Sequence, residues 1–160
     1  MSGEDYKIAR VLIIGCGDSL GGDDGIGPLA VQKLAEKFKQ EPRVATISVD
    51  RLTADLASAL GPIELAIFIE SAQGQRPGHL SCTFITPSAR SLDSQASALD
   101  PADLLDAVRR AQGRSPQAMV FTVAGEDFGR RQSLSRTVER ASQRLVDQVY
   151  RIVLDELDHT

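Results

Sequence analysis

Between Gly15 and Gly27 the chain places six glycines and three aspartates, Asp18, Asp23 and Asp24. Glycines let a backbone approach a partner closely, and carboxylates bring negative charge and hard oxygen donors. A phosphate cradle is the first chemistry such a loop suggests. However, Leu20 stands at the third glycine position of G-x-G-x-x-G, and no G-K-S/T follows. A helix start binds an anion through bare amides and the positive end of its dipole, and three aspartates would repel that anion. The loop suits a cation instead. Asp23 reads as a cap on the helix that follows, worth about 0.5–2 kcal/mol. One acid suffices for a cap, which leaves Asp24 for a site.

Other candidates are fewer. Glu70 ends the apolar run 65–69 and reads equally as a site acid and as an acid emerging into solvent. Asp50 ends the run 44–49, where a ribose-binding acid would sit in a dinucleotide fold. Cys16 lies between two glycines without a sequence-evident base, and reads as an inert buried thiol. Cys16 and Cys82 are far apart and outside any CxxC pattern, so neither a zinc site nor a disulfide framework follows. The only histidines are His79, at a strand start, and His159, in the tail. Arg130, Arg131, Arg136, Arg140 and Arg144 form a basic stretch that reads as a solvated helix face. Arg140 and Arg144 are spaced i, i+4, with Glu139 beside them for local pairing.

The elements that must position these groups alternate. Residues 11–14 form an uninterrupted apolar run, the pattern of a strand buried on both faces. Ile26, Ala30, Val31, Leu34 and Phe38 recur at helical spacing, with Pro28 in the first turn. Strands are expected at 44–49 and 65–69, with a short helical stretch at 54–60 between them. Residues 74–78 read as a turn, and 80–85 as a strand whose alternation fits a sheet edge and admits a mixed sheet. Residues 87–100 read as an irregular, Ser-rich connection. A helix is expected over 101–112 behind Asp100-Pro101, a strand over 118–124, and a long amphipathic helix over 135–157.

Together these predict a single α/β domain spanning residues 1–160. It is a three-layer sandwich with a mostly parallel twisted sheet of about five strands flanked by helices. Ligands of such sheets bind beyond the carboxyl ends of the strands, so the loops after the first and third strands and the Ser-rich segment are the candidates. The formal charge of −4 argues against nucleic acid, and 4% aromatics with no Trp argue against base stacking. No apolar run approaches the roughly 18 residues that span a bilayer, and residues 1–10 carry acids without an apolar core. A cytoplasmic location is expected.

The first loop resembles the G-x-G-N-x-L-x-x-D-D/E-G-x-G signature of the nickel-iron hydrogenase maturation endopeptidases. Gly15, Gly17, Leu20, Asp23, Asp24, Gly25 and Gly27 match it, and Asp18 replaces the asparagine. Asp50-Arg51-Leu52-Thr53 resembles the family's D-x-G-T. Glu70-Ser71-Ala72 through Arg76-Pro77-Gly78 resembles its D-A-x…x-P-G, and residues 99–108 resemble its L-x-P-x-x-L-L helix.

The resemblance implies a phosphorylase/hydrolase-like fold and an aspartic-type endopeptidase. Such an enzyme removes the C-terminal extension of a hydrogenase large-subunit precursor after nickel insertion. Nickel is then carried by that protein partner rather than permanently bound, and no nucleotide, nucleic acid or membrane partner is implied. Asp24 and Glu70 take the catalytic and metal-binding positions, Glu70 where the family has aspartate. Asp23, Gly25, Asp50 and Thr53 take substrate-binding positions. The family's histidine, due near Ser97, is absent. Its loss keeps open a degenerate relative that binds the precursor as a maturation chaperone. The βαβ order and Asp50 leave a dinucleotide-binding module as a third reading.

Overall fold

In the computed structural model, residues 8–88 and 99–159 are described. Strand β1 (Val11–Cys16) leads through a 3-10 turn (Gly22–Gly25) into helix α1 (Ile26–Lys37) and strand β2 (Val44–Val49). A second 3-10 turn (Ala54–Leu56), the single helical turn α2 (Ala57–Leu60), β3 (Leu65–Ala72) and β4 (Leu80–Ile85) follow. Helix α3 (Pro101–Gln112), β5 (Gln117–Ala124) and α4 (Arg136–Asp158) complete the order.

The five strands run β2-β1-β3-β5-β4, parallel except for β4, which pairs antiparallel with β5. β1 and β3 are apolar throughout their inner parts because each is hydrogen-bonded on both edges and covered on both faces. Val11, Ile13, Ile67, Ile69 and Phe121 pack under α1 and α4, whereas Leu12, Ile14, Ala66 and Phe68 pack under α2 and α3. The three expected layers follow from these two cores. β4 is an edge strand, and its Thr83 and Phe84 stand exposed, as its weaker alternation predicts. Among the described residues no helix is long and apolar enough to cross a membrane.

Boundaries shift in ways that bear on the site. β3 runs three residues past 69, because β5 is equally long and pairs Glu70 with Thr122, Ser71 with Val123 and Ala72 with Ala124. Glu70 therefore belongs to the strand rather than to a loop after it. The stretch 54–60 is a 3-10 turn plus one helical turn. Most of the Ser-rich connection, residues 89–98, lies outside the described residues. Helix α3 starts as expected, with a reciprocal capping box between Asp100 and Asp103 and Pro101 at its first position.

β2 lies on one side of β1 and β3 on the other, so the strand order reverses between β1 and β3. Crevices open at the carboxyl ends of such strands. Helix α1 starts directly above this point. A Cβ on Gly27 would lie 2.5 Å from the Cys16 carbonyl and 2.7 Å from that of Ile69, so only glycine lets the helix settle onto β1 and β3. Gly27→Ala is expected to cost about 2–3 kcal/mol by overpacking, read as a lower urea midpoint with an unchanged slope. A midpoint equal to that of the parent would show that the helix can rise without penalty.

Candidate active site

The loop after β1 doubles back on itself. Gly17 has φ of +142°, and a Cβ there would collide with the carbonyl of Asp24, so the turn requires glycine. The fold-back brings the Asp24 carboxylate against two donors: the Asp18 amide reaches one oxygen at 2.8 Å, and the Ser71 hydroxyl from β3 reaches the other at 2.7 Å. Asp24 is thus oriented from its own loop and from the neighbouring strand.

This carboxylate lines an open cleft of about 230 Å³ with Cys16, Asp50, Arg51, Glu70 and Ser71, at the carboxyl ends of β1, β2 and β3. Leu52 and Leu99, joined by an antiparallel bridge, form its wall. The Glu70 side chain accepts no hydrogen bond from any described residue. Burial, and then the charges of Asp100 and Asp24, hold its pKa above the ordinary glutamate value. Burial, with Glu70 and Asp24 nearby, pushes the Cys16 thiol up to about 12. Cys16 is therefore held as a thiol rather than a thiolate nucleophile, as its sequence context suggests.

Of the six expected site residues, Asp24, Glu70 and Asp50 converge and three do not. Asp23 is 0% exposed and is neither a cap on α1 nor a cleft residue. Its oxygens accept from the amides of Glu126 at 2.8 Å, Asp127 at 2.9 Å and Ser135 at 2.7 Å, and from the Ser135 hydroxyl at 2.9 Å. Burial works against its ionisation, but these donors outweigh it and lower the pKa. The physical reason for the correction is that the donors come from the connection between β5 and α4, ending at the Ser135 cap of α4, rather than from the start of α1. Gly25 is buried and borders a different cleft, with Leu20, Pro28 and Leu29. Thr53 turns its hydroxyl to the Asp55 carboxylate at the head of the 3-10 turn. Ser71 is the residue that sequence reasoning passed over; its one signal is a hydroxyl where the family motif has alanine.

As a metal site the cleft is oxygen-rich and incomplete. Among the described residues no group of three or more His, Cys, Asp and Glu side chains could hold an ion. His79 precedes β4 and His159 caps the end of α4, and neither lines the cleft. Asp24 and Glu70 offer two carboxylates, a donor set that suits a metal arriving with its other ligands attached.

Neither a family model nor a curated protein matches the chain. Solved structures do. The chain is similar to the hydrogenase maturating endopeptidase HybD from E. coli, at TM-score 0.72 and 20% identity over 92% of this chain and 93% of that one. It is similar to the hydrogenase 2 maturation peptidase of a Thaumarchaeota archaeon, at TM-score 0.65 and 25% identity over 90% and 97%. It is also similar to the NiFe hydrogenase maturation protease HybD from Thermococcus kodakarensis, at TM-score 0.69 and 20% identity over 89% and 98%. The fold is the one these peptidases share, as the sequence motifs imply.

Glu70 gives a pH signature. Below the unfolded glutamate pKa, about 4.3, it is protonated in both states and costs nothing. As pH rises through its raised folded value, the folded state must ionise a disfavoured carboxyl, and stability is lost. Glu70→Gln is therefore expected to melt higher than the parent at neutral pH, with the gap closing at pH 4. A gap that persists at pH 4, or has the opposite sign, would contradict the assignment.

Proposed function

We propose, from this shared fold, that the chain is an endopeptidase that removes the C-terminal extension of a nickel-iron hydrogenase large-subunit precursor once nickel is in place. The observation that carries the reading is the meeting of Asp24 and Glu70 in one cleft at the point where strand order reverses. We place the reaction in the cytoplasm, with neither nucleotide nor nucleic acid as partner, because the acids of the cleft would repel phosphates.

The nickel belongs to the substrate. When the precursor presents it, the ion supplies Lewis acidity beside the scissile segment. Asp24, fixed by the Asp18 amide and the Ser71 hydroxyl, would offer an oxygen in a set direction at no further ordering cost. Glu70, accepting no hydrogen bond from the described residues and raised in pKa, is a better proton acceptor near neutrality than an ordinary carboxylate. With Cys16 protonated and no histidine at the cleft, carboxylates are the groups left to move protons. Asp50 and Arg51 border the open side and would contact the extension.

One observation favours a second reading, a relative that binds the precursor without cutting it: the family's histidine is replaced by nothing of similar donor strength. Intact mass of the precursor decides between them. Nickel-loaded precursor is expected to lose its extension while the nickel-free form keeps it. Asp24→Asn and Glu70→Gln should each slow the loss by about a hundredfold or more. Stable binding without cleavage would favour the chaperone reading. Equal loss from loaded and nickel-free precursor, or full activity in both variants, would overturn the proposal.

A further inference from the structure

Helix α4 opens on a cation and closes on anions, with Glu139 the one acid of its first turn. Arg136 is its first residue, and Arg140 and Arg144 follow at i+4 and i+8. Its last turn holds no basic residue, while Asp155, Glu156 and Asp158 cluster there. Cations are disfavoured at a helix N-terminus and anions at its C-terminus. The three arginines also share one face, so each repels the next. They lie opposite Val138, Ala141, Leu145 and Val149, which are buried, and all three are exposed.

Local neutralisation does not relieve this arrangement. Glu139, expected to pair with them, reaches Lys33 of α1 at 3.6 Å. Arg144 donates to the Gly78 carbonyl at 3.3 Å, which satisfies a hydrogen bond and leaves the charge. The same contact holds the turn 74–78, with exposed Arg76, beside the helix. Gly78 itself packs on Thr137. Lys33, Lys39, Arg10, Arg43, Arg109, Arg110 and Arg131 all form ion pairs, whereas among the described residues Arg76, Arg130, Arg136, Arg140 and Arg144 form none, as also holds for the scattered Lys37, Arg114 and Arg151. On a chain of formal charge −4, Arg136, Arg140 and Arg144 line one exposed face of α4, with Arg76 on the turn held beside it.

Position ties this stripe to the cleft. Ser135, which caps α4 by accepting from Val138, also binds Asp23, the neighbour of Asp24. The stripe thus starts beside the catalytic loop and runs about 12 Å away from it, at 1.5 Å per residue. We propose that Arg136, Arg140 and Arg144, flanked by Arg76 and Arg130, dock an acidic segment on the surface of the protein substrate. This rests on the reading that the substrate is a protein. Charge complementarity selects the occupant, and the exposed positions between the arginines, Thr137 and Gln143, are polar rather than aromatic or apolar, which disfavours a nucleic acid or a lipid surface; Asp147, three residues beyond Arg144, forms no ion pair with it. Such a contact raises the rate of encounter and fixes the orientation in which the extension meets the cleft.

The test compares the parent with the triple variants Arg136→Gln/Arg140→Gln/Arg144→Gln and Arg136→Lys/Arg140→Lys/Arg144→Lys. With a fluorescent oligoglutamate peptide, parent binding should weaken about tenfold between low and moderate salt. The glutamine variant should bind about tenfold more weakly at low salt, and the lysine variant should recover most of the loss. With nickel-loaded precursor, the glutamine variant should raise KM about tenfold at unchanged kcat. Its melting temperature should equal or exceed that of the parent, since it loses self-repulsion. Parent-like peptide binding and KM in the glutamine variant would overturn the proposal, as would tighter parent binding to an oligothymidylate or to phosphatidylserine vesicles than to the peptide. Should the parent cleave no precursor while the peptide results hold, the peptidase reading fails and the docking surface stands.

Discussion

One buried carboxylate organises the end of this molecule that holds the candidate site. Asp23 is shut off from solvent and accepts four hydrogen bonds, all from residues more than a hundred positions further along the chain. Burying a lone charge is costly, and only a full set of donors offsets the loss of water. Here three amides and a hydroxyl do so, and the carboxyl stays ionised below the ordinary aspartate range. Its contribution to stability is present above the unfolded aspartate pKa and is lost as pH falls through the lower folded value. The result is a splint between the loop after β1 and the loop that leads from β5 into α4.

Asp24 depends on that splint. A 3-10 turn advances about 120° per residue, so in Gly22–Gly25 two consecutive aspartates face different ways. Asp23 points into the protein and Asp24 into the cleft. The same tie fixes the start of α4, and with it the arginine stripe, against the loop after β1. The aim of Asp24 and the position of the stripe thus share one anchor. The glycines at 15, 17 and 27 permit the approach of helix to strand, and the aspartate locks the loop that results.

The fold was largely readable from local pattern. Continuous apolar runs marked β1 and β3 because both faces of a parallel sheet are covered, and the Asp100-Pro101 start of α3 announced its own cap. Asp24 and Glu70 could be brought into one candidate site because the strand-end rule and the family motif pointed to the same strand ends. What escaped were the partners of charged and polar groups, which lie far away in sequence. Nothing near Asp23 announces Glu126, Asp127 or Ser135, so a short-range cap was the natural reading. Glu139 has arginines beside it and pairs with Lys33 of another helix. The Ser71 hydroxyl acquires its role only when β3 lies next to the β1 loop, and β3 extends to Ala72 only because β5 is there to pair with it.

If Asp23 holds the site together, its loss must be felt at Asp24. Residue-resolved amide exchange in Asp23→Asn, which puts an amide donor where four donors converge, tests this most directly. Global stability is expected to fall by about 3 kcal/mol. The amides of Glu126, Asp127 and Ser135 should then exchange faster than that global loss requires, and so should the amide of Asp18, which donates to the Asp24 carboxylate. Faster exchange confined to Glu126, Asp127 and Ser135, with Asp18 protected as in the parent, would contradict the account, since Asp24 would then keep its aim without the splint.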